Sequence, residues 1–378
     1  FTPPTFEAYR EYVKGDEKFI DEPEAALEHY RRSSELDPDF LPPRIGTVHL
    51  LMMMGRRGEA HSVLDELDEL DERRGELNTV ERLFVDALRL YWEHRYEEAL
   101  PVFRDLVPRH PLHQGVRNGY AQAAVWTNRP HEALSTIEDA AQRQELGRPL
   151  QHTLCRALHM LGRHERELEV ARTAVARLPG KPDPIFSEAH ALAALGRVGE
   201  LGRLVEQNFR GVELQRIRLA VEASAELRAH GHPKEALEMA RRVVDELPPN
   251  PARDVWTRWY LATLMMMAER PDDAFALYAD LASENPDVAF YVGSHGAMAA
   301  SLGDEQTARQ LSQRLDELAD PQLFGLDLYL QATIAAGLGE REEAVEHLHA
   351  ALRAGYRFSL SFHRNPFLDP MRGFEAFE

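Results

Sequence analysis

Apolar residues in the stretch Arg95 to Pro111, RYEEALPVFRDLVPRHP, fall on one helical face. From Ala99 the aromatic Phe103 lies four residues on, Leu106 seven on, and Pro111 twelve on, where a helix cannot continue. Small Ala87 lies twelve residues before Ala99. The same pattern returns along the chain with anchors at Ala26, Ala60, Ala99, Ala133, Glu167, Leu201, Ala236, Ala274, Ala308 and Ala344, separated by 34, 39, 34, 34, 34, 35, 38, 34 and 36 residues. A period near 34 predicts an array of helix-turn-helix units.

Three further marks keep this register. Close helix packing demands a small residue twelve before each anchor, and from the third unit those positions hold Ala87, Ala121, Cys155, Ala189, Ser224, Ala262, Gly296 and Ala332. A turn between helices favours a left-handed residue five before the anchor, where Gly55, Asn128, Gly162, Gly196, Gly231, Gly303 and Gly339 stand. Twelve after it, Pro38, Pro111, Pro179, Pro248 and Pro286 stop the second helix.

With LDP at Leu36–Pro38 and ENP at Glu284–Pro286, the chain resembles the tetratricopeptide repeat family over about nine-tenths of its length. The resemblance implies an all-α fold: a right-handed α-solenoid of about ten repeats over residues 1–352, then a capping segment over 353–378 that covers the last repeat's apolar face. Proline density at 248–251 predicts a bend. Glu167 and Leu201 replace the small anchor, so the fifth and sixth hairpins are expected to splay. The opening FTPPTFEAYREYVKG resembles the junction where such arrays follow kinase, cyclase or winged-helix domains in bacterial signalling proteins. The ending, with Asp369, Pro370, Arg372 and Phe374, resembles a short terminal motif found after them. Phe1 in place of methionine leads to the same expectation of a piece of a longer or processed chain.

The 378 residues carry a net charge of −19 with only four lysines, at 14, 18, 181 and 234. That balance argues against nucleic acid and for a neutral or basic partner, or for solubility alone. The run LDELDELDERRGELN, with leucines at 64, 67 and 70, reads as a solvated amphipathic extension of the second unit, or more sharply as an acidic interaction segment. One cysteine excludes an internal disulfide. The compartment stays open, a soluble cytoplasmic home being favoured over a periplasmic one, and no apolar run reaches membrane-spanning length.

No catalytic motif is present: the HERE at His164 and the HEAL at His131 lack a zincin's second histidine, and Ser294 beside His295 lacks a third triad member. The expected function is therefore non-enzymatic, a scaffold that needs no cofactor and binds a protein or peptide. One alternative is a ligand-sensing region of a larger signalling protein; a second is a metal-dependent enzyme. Mapped onto the resembled family, whose first helices line the concave side, the register directs Asn118, Gln122, His152, Arg156, His159, His190, Trp256 and Trp259 to the groove. Arg156 and the histidines suit a mixed or acidic segment, and the indoles suit apolar anchorage. His152, Cys155, His159 and His190 share a stripe that four-coordinate zinc could use, although Cys155 also fits as a plain packing residue. Met52–Met54 and Met265–Met267 read as core filling before a pliable contact surface.

Overall fold

The computed structural model describes residues 4–19, 22–74, 79–109, 114–142, 148–209, 211–247 and 254–377. The chain divides into two compact units, Phe1–Val116 and Arg117–Glu378. The first holds three helical hairpins: Phe6–Lys18 with Pro23–Leu36, Pro42–Met53 with Arg57–Arg74, and Thr79–Trp92 with Tyr96–Arg109. The helix Gln114–Trp126 pairs with Pro130–Gln142. Six more hairpins follow: Arg148–Met160 with His164–Arg177, Pro182–Ala194 with Val198–Gln207, Glu213–Ala229 with Pro233–Asp245, Val255–Met267 with Pro271–Glu284, Ala289–Ser301 with Glu305–Glu317, and Leu326–Leu338 with Arg341–Arg353. The described residues are all-α, and within each unit the helices form a solenoid of hairpins in the predicted register.

Local chemistry explains where the helices start and stop. Pro23, Pro182, Pro233 and Pro271 stand in the first turn, where the missing N–H costs nothing. The Asp254 and Asp304 carboxylates accept from the backbone N–H of Thr257 and Thr307 at 3.0 and 3.1 Å. From the second hairpin on, each turn closes on one hydrogen-bond pattern. At Gly162, its N–H reaches His159 O at 2.9 Å, while Arg163 N–H reaches back to Leu158 O at 2.9 Å. This is a Schellman cap, and it needs positive φ at the residue after the helix. Gly162 has φ 66° and Asn128 has φ 57°. His94 and Glu269 occupy the corresponding positions with φ 60° and 57°, so the turn forms there without glycine.

All ten anchors are buried, none more than 1% exposed. The predicted splaying does not occur at the fifth hairpin, and at the sixth the replaced anchor is buried. Glu167 fills its packing position with a carboxylate 2.9 Å from Nδ1 of His159 on the partner helix. Leu201 sits in a continuous core with Leu168, Ile185, Ala189, Leu192 and Ile217. In the second hairpin, Leu64 and Leu67 are buried within Arg57–Arg74, so the acidic run up to Glu69 is one face of a packed helix, and the side chains of the rest of the run lie outside the described residues. The expected bend at 248–251, like Pro111, lies outside the described residues.

In the Phe1–Val116 unit, His49 lies edge-on between Phe19 and Trp92, with ring centroids 4.9 and 4.8 Å away. Burial without a counter-charge pulls its imidazole down to about 4. The folded state therefore binds fewer protons than the unfolded chain between about pH 6.5 and pH 4, and stability present above that window falls as acid is added. The expected loss is on the order of 3 kcal/mol. Urea titrations at stepped pH measure it, and a His49→Leu variant should flatten the slope in that window. Glu269→Gly should raise the unfolding free energy by about 1 kcal/mol by relieving left-handed strain. Denaturant midpoints that stay equal would show that the turn is unstrained.

Candidate binding face and a buried histidine cluster

After Arg341–Arg353 the chain turns back along the first helices of the hairpins in the Arg117–Glu378 unit. Phe358 N–H donates to Trp126 O at 2.9 Å, and the Arg357 guanidinium lies 5.2 Å from the Trp126 ring centre. The short helix Ser361–Arg364 follows, and then the 3₁₀ turn Pro366–Met371, opened by Asn365 Oδ1 accepting from Phe367 N–H at 3.0 Å. Asn365 Nδ2 donates to the Tyr329 hydroxyl at 2.8 Å. Leu368 and Met371 are buried with Ala336, Val345 and Leu348 of the last hairpin. Asp369 pairs with Arg228. The tail thus packs on the last hairpin and also runs across the inner helix faces as far as Trp126.

Its centre is Arg364. Nη1 lies 2.7 Å from His190 Nε2 and 3.7 Å from Glu226 Oε2, and Nη2 lies 3.4 Å from Glu222 Oε2. Glu222 and Glu226 are one turn apart on Glu213–Ala229, at 9% and 0% exposure. Arg218, 2.8 Å from Glu222 Oε1, lies over the Phe186 ring. Burial works to raise the Glu222 carboxyl, yet Arg364, His190 and Arg218 hold it far below the usual carboxylate range. Burial likewise opposes charge on Glu226, and His159 and His230 hold it well below that range.

Around Glu226 the imidazoles converge. His159 Nε2 is 2.6 Å, His230 Nε2 3.3 Å and His363 Nε2 3.7 Å from Oε1. His230 and His363 bring their Nε2 atoms within 3.3 Å of each other. On the far side of His159, Glu167 Oε2 also lies 3.3 Å from His164 Nδ1. Burial lowers His159, but Glu167 and Glu226 override it and push the imidazole up to about 10. Burial pulls His363 down to about 4.

The sequence-predicted residues divide between this centre and its surroundings. His159 and His190 belong to it, their ring centres 6.2 Å apart. Arg156 is partly buried and His152 exposed one and two turns earlier on the His159 helix, and Asn118 and Gln122 are partly buried on Gln114–Trp126. Trp259 Nε1 donates to Ser294 Oγ at 3.0 Å, and Trp256 leans on Phe290 with half its surface exposed. Both indoles face the next hairpin rather than the tail's polar centre. Cys155 does not join the histidines: it is 3% exposed and beside Ser187. Sequence reasoning missed Glu222, Glu226, His230, His363 and Arg364. A signal was present in RLAVEASAELRA, where two carboxylates stand one turn apart in a helix otherwise rich in alanine and leucine.

Ten helical hairpins, a buried small-residue series and a recurring Schellman turn define a tetratricopeptide-type helical repeat. No family model matches the chain. A curated relative, DnaJ homolog subfamily C member 3 of Gallus gallus, is 25% identical over 158 residues, 39% of this chain and 31% of that protein. The match therefore spans less than a third of the relative's length. Among solved structures, the human IFIT1 dimer with m7Gppp-AAAA aligns over 97% of this chain and 81% of its own at 14% identity and TM-score 0.45. A tetratricopeptide repeat protein from Parabacteroides merdae aligns over 77% and 98% at 12% identity and TM-score 0.41. No helix among the described residues is long and apolar enough to cross a membrane.

Burial and the nearby Glu167 charge push the Cys155 thiol up to about 12, with the Ser187 hydrogen bond acting weakly the other way. The native thiol should therefore resist alkylation at pH 8 and react on unfolding. Cys155→Ala should be tolerated, and Cys155→Phe should destabilise by roughly 1 to 3 kcal/mol through overpacking. Rapid labelling of the native protein would place Cys155 on an open surface instead.

Proposed function

We propose that the chain is a non-enzymatic tetratricopeptide scaffold that binds a protein or peptide segment on the inner helix faces of the Arg117–Glu378 unit. The supporting observation is that a segment of the chain itself lies there. It is held by a backbone hydrogen bond to Trp126 O, by ring packing of Phe367 against Tyr278, and by Arg364 among His190, Glu222 and Glu226. Those are the elements of peptide recognition: main-chain pairing for affinity, pockets and charges for selectivity.

The charge of the face sets the kind of partner. The sequence reading gave it Arg156 and histidines suited to a mixed or acidic segment, but Glu222 and Glu226 stand at its centre. The segment that fits carries arginine or lysine flanked by aromatics, like Phe362 to Phe367 in the tail. Buried carboxylates and an overall charge of −19 disfavour a phosphate backbone in the same place.

Arg364→Glu in the full chain should loosen the tail and expose the face. A labelled synthetic peptide with the sequence of residues 355–377 should then bind the variant at least tenfold more tightly than the unmodified chain, read by fluorescence anisotropy, with circular dichroism unchanged. Equal weak binding to both proteins would remove the inner face as the recognition surface.

A further inference from the structure

We propose that His159, Glu226, His230 and His363 form a zinc site that clasps the tail onto the inner helix face. The four ligand atoms lie within 4.8 Å of one another. A tetrahedral ion bound at about 2.0 to 2.1 Å requires ligand edges of about 3.3 Å. The His230–His363 and His230–Glu226 edges are both 3.3 Å, and the His363–Glu226 edge is 3.7 Å. The His159–Glu226 edge, at 2.6 Å, opens on metal entry.

Three features distinguish this arrangement from a satisfied polar core. Glu226 is fully buried, yet neither carboxylate oxygen makes a hydrogen bond, and His159 Nε2 makes none either. These atoms converge on a common point and miss one another's donor directions. Two imidazole Nε2 atoms facing each other at 3.3 Å are also spaced as two ligands of one metal ion would be. Finally, the outer nitrogen of His159 is fixed by Glu167 Oε2 at 2.9 Å, the carboxylate support that orients a metal-bound imidazole. Arg364 lies closer to Glu222 than to Glu226, at 3.4 against 3.7 Å, so the acidic centre holds two buried carboxylates, Glu226 and Glu167, that favour a divalent cation in place of the proton on His159.

Three imidazoles and one carboxylate complete four-coordination from the protein alone, which is the donor set of a closed structural site with no position left for substrate. Glu226 lies in the last turn of Glu213–Ala229 and His230 caps that helix, His159 comes from a hairpin two repeats earlier, and His363 comes from the tail. Metal binding therefore joins the tail to the helices, and it does so whether or not a partner uses that face.

The test uses the full chain, stripped with chelator, dialysed, and titrated with zinc alone. The expected result is about one equivalent bound, measured by elemental analysis after gel filtration. Trypsin should cut at Arg357, Arg364 or Arg372 much faster in the stripped protein than in the loaded one. His363→Ala and Glu226→Gln should each weaken zinc binding at least tenfold, while His347→Ala, distant on an outer helix, should not. His363 lies on the tail, so its variant decides the matter even where Glu226→Gln does not fold. Less than a tenth of an equivalent bound, undiminished affinity in His363→Ala, or equal loss in His347→Ala would overturn the site. Stoichiometric zinc with unchanged trypsin cleavage would overturn its role as a clasp.

Discussion

A carboxylate with no access to water is the constraint on which the second unit depends. Glu226 is fully buried on an inner helix face, and Glu222 sits one turn away with little more exposure. Ionised carboxylates cannot remain in such surroundings without opposite charge, because desolvation alone costs several kcal/mol per group. The helix that carries them supplies Arg218 and His230, and neighbouring hairpins supply His159 and His190. None of these closes the inner side. Arg364 does, and it arrives only because the chain reverses after its last hairpin. The return of the tail is thus demanded by charges placed more than a hundred residues upstream, as well as by the apolar end of the stack that Leu368 and Met371 cover.

The repeat geometry makes this arrangement possible. Hairpins packed through alanine-sized contacts bring first helices close together, so side chains one repeat apart approach within hydrogen-bond reach, as His190 and Glu222 do at 2.9 Å across 32 residues. At one hairpin the packing series is broken on purpose by chemistry: Glu167 takes the alanine position and uses it to orient His159. A buried acid there weakens ordinary packing, and the hairpin holds because the acid is paired within it. Breaks in an otherwise regular pattern are where a repeat protein keeps its particular function.

The period, the hairpin register, the buried anchors and the left-handed turns were legible in the sequence because each depends on residues within one or two helices of each other. Turns at His94 and Glu269 escaped the glycine pattern since the backbone hydrogen bonds of the cap can hold a non-glycine residue at positive φ. The candidate site was legible only in part. His159 and His190 drew notice as histidines in equivalent registers. Glu226, His230 and His363 did not, because their meaning lies in convergence: His230 and His363 meet from 133 residues apart, and no periodicity links a tail to a mid-chain helix. The tail's aromatics correctly suggested burial against the last hairpin, but they could not reveal that Arg364 continues onto an acidic face.

An intramolecular occupant changes how such a face responds to its surroundings. A tethered segment presents itself at an effective concentration in the millimolar range, so an external segment of equal intrinsic affinity meets a face that is mostly filled. Its apparent affinity falls by the fraction of molecules that are open. A cation bound through His363 stabilises the closed arrangement alone, and a partner on the inner face binds the open one alone. Each ligand then weakens the other by the same factor, since coupling between two sites is reciprocal. The size of that factor is set by how much of the cation's binding free energy requires the tail histidine, which makes a single side chain outside the repeats the control point for a surface formed by the repeats themselves.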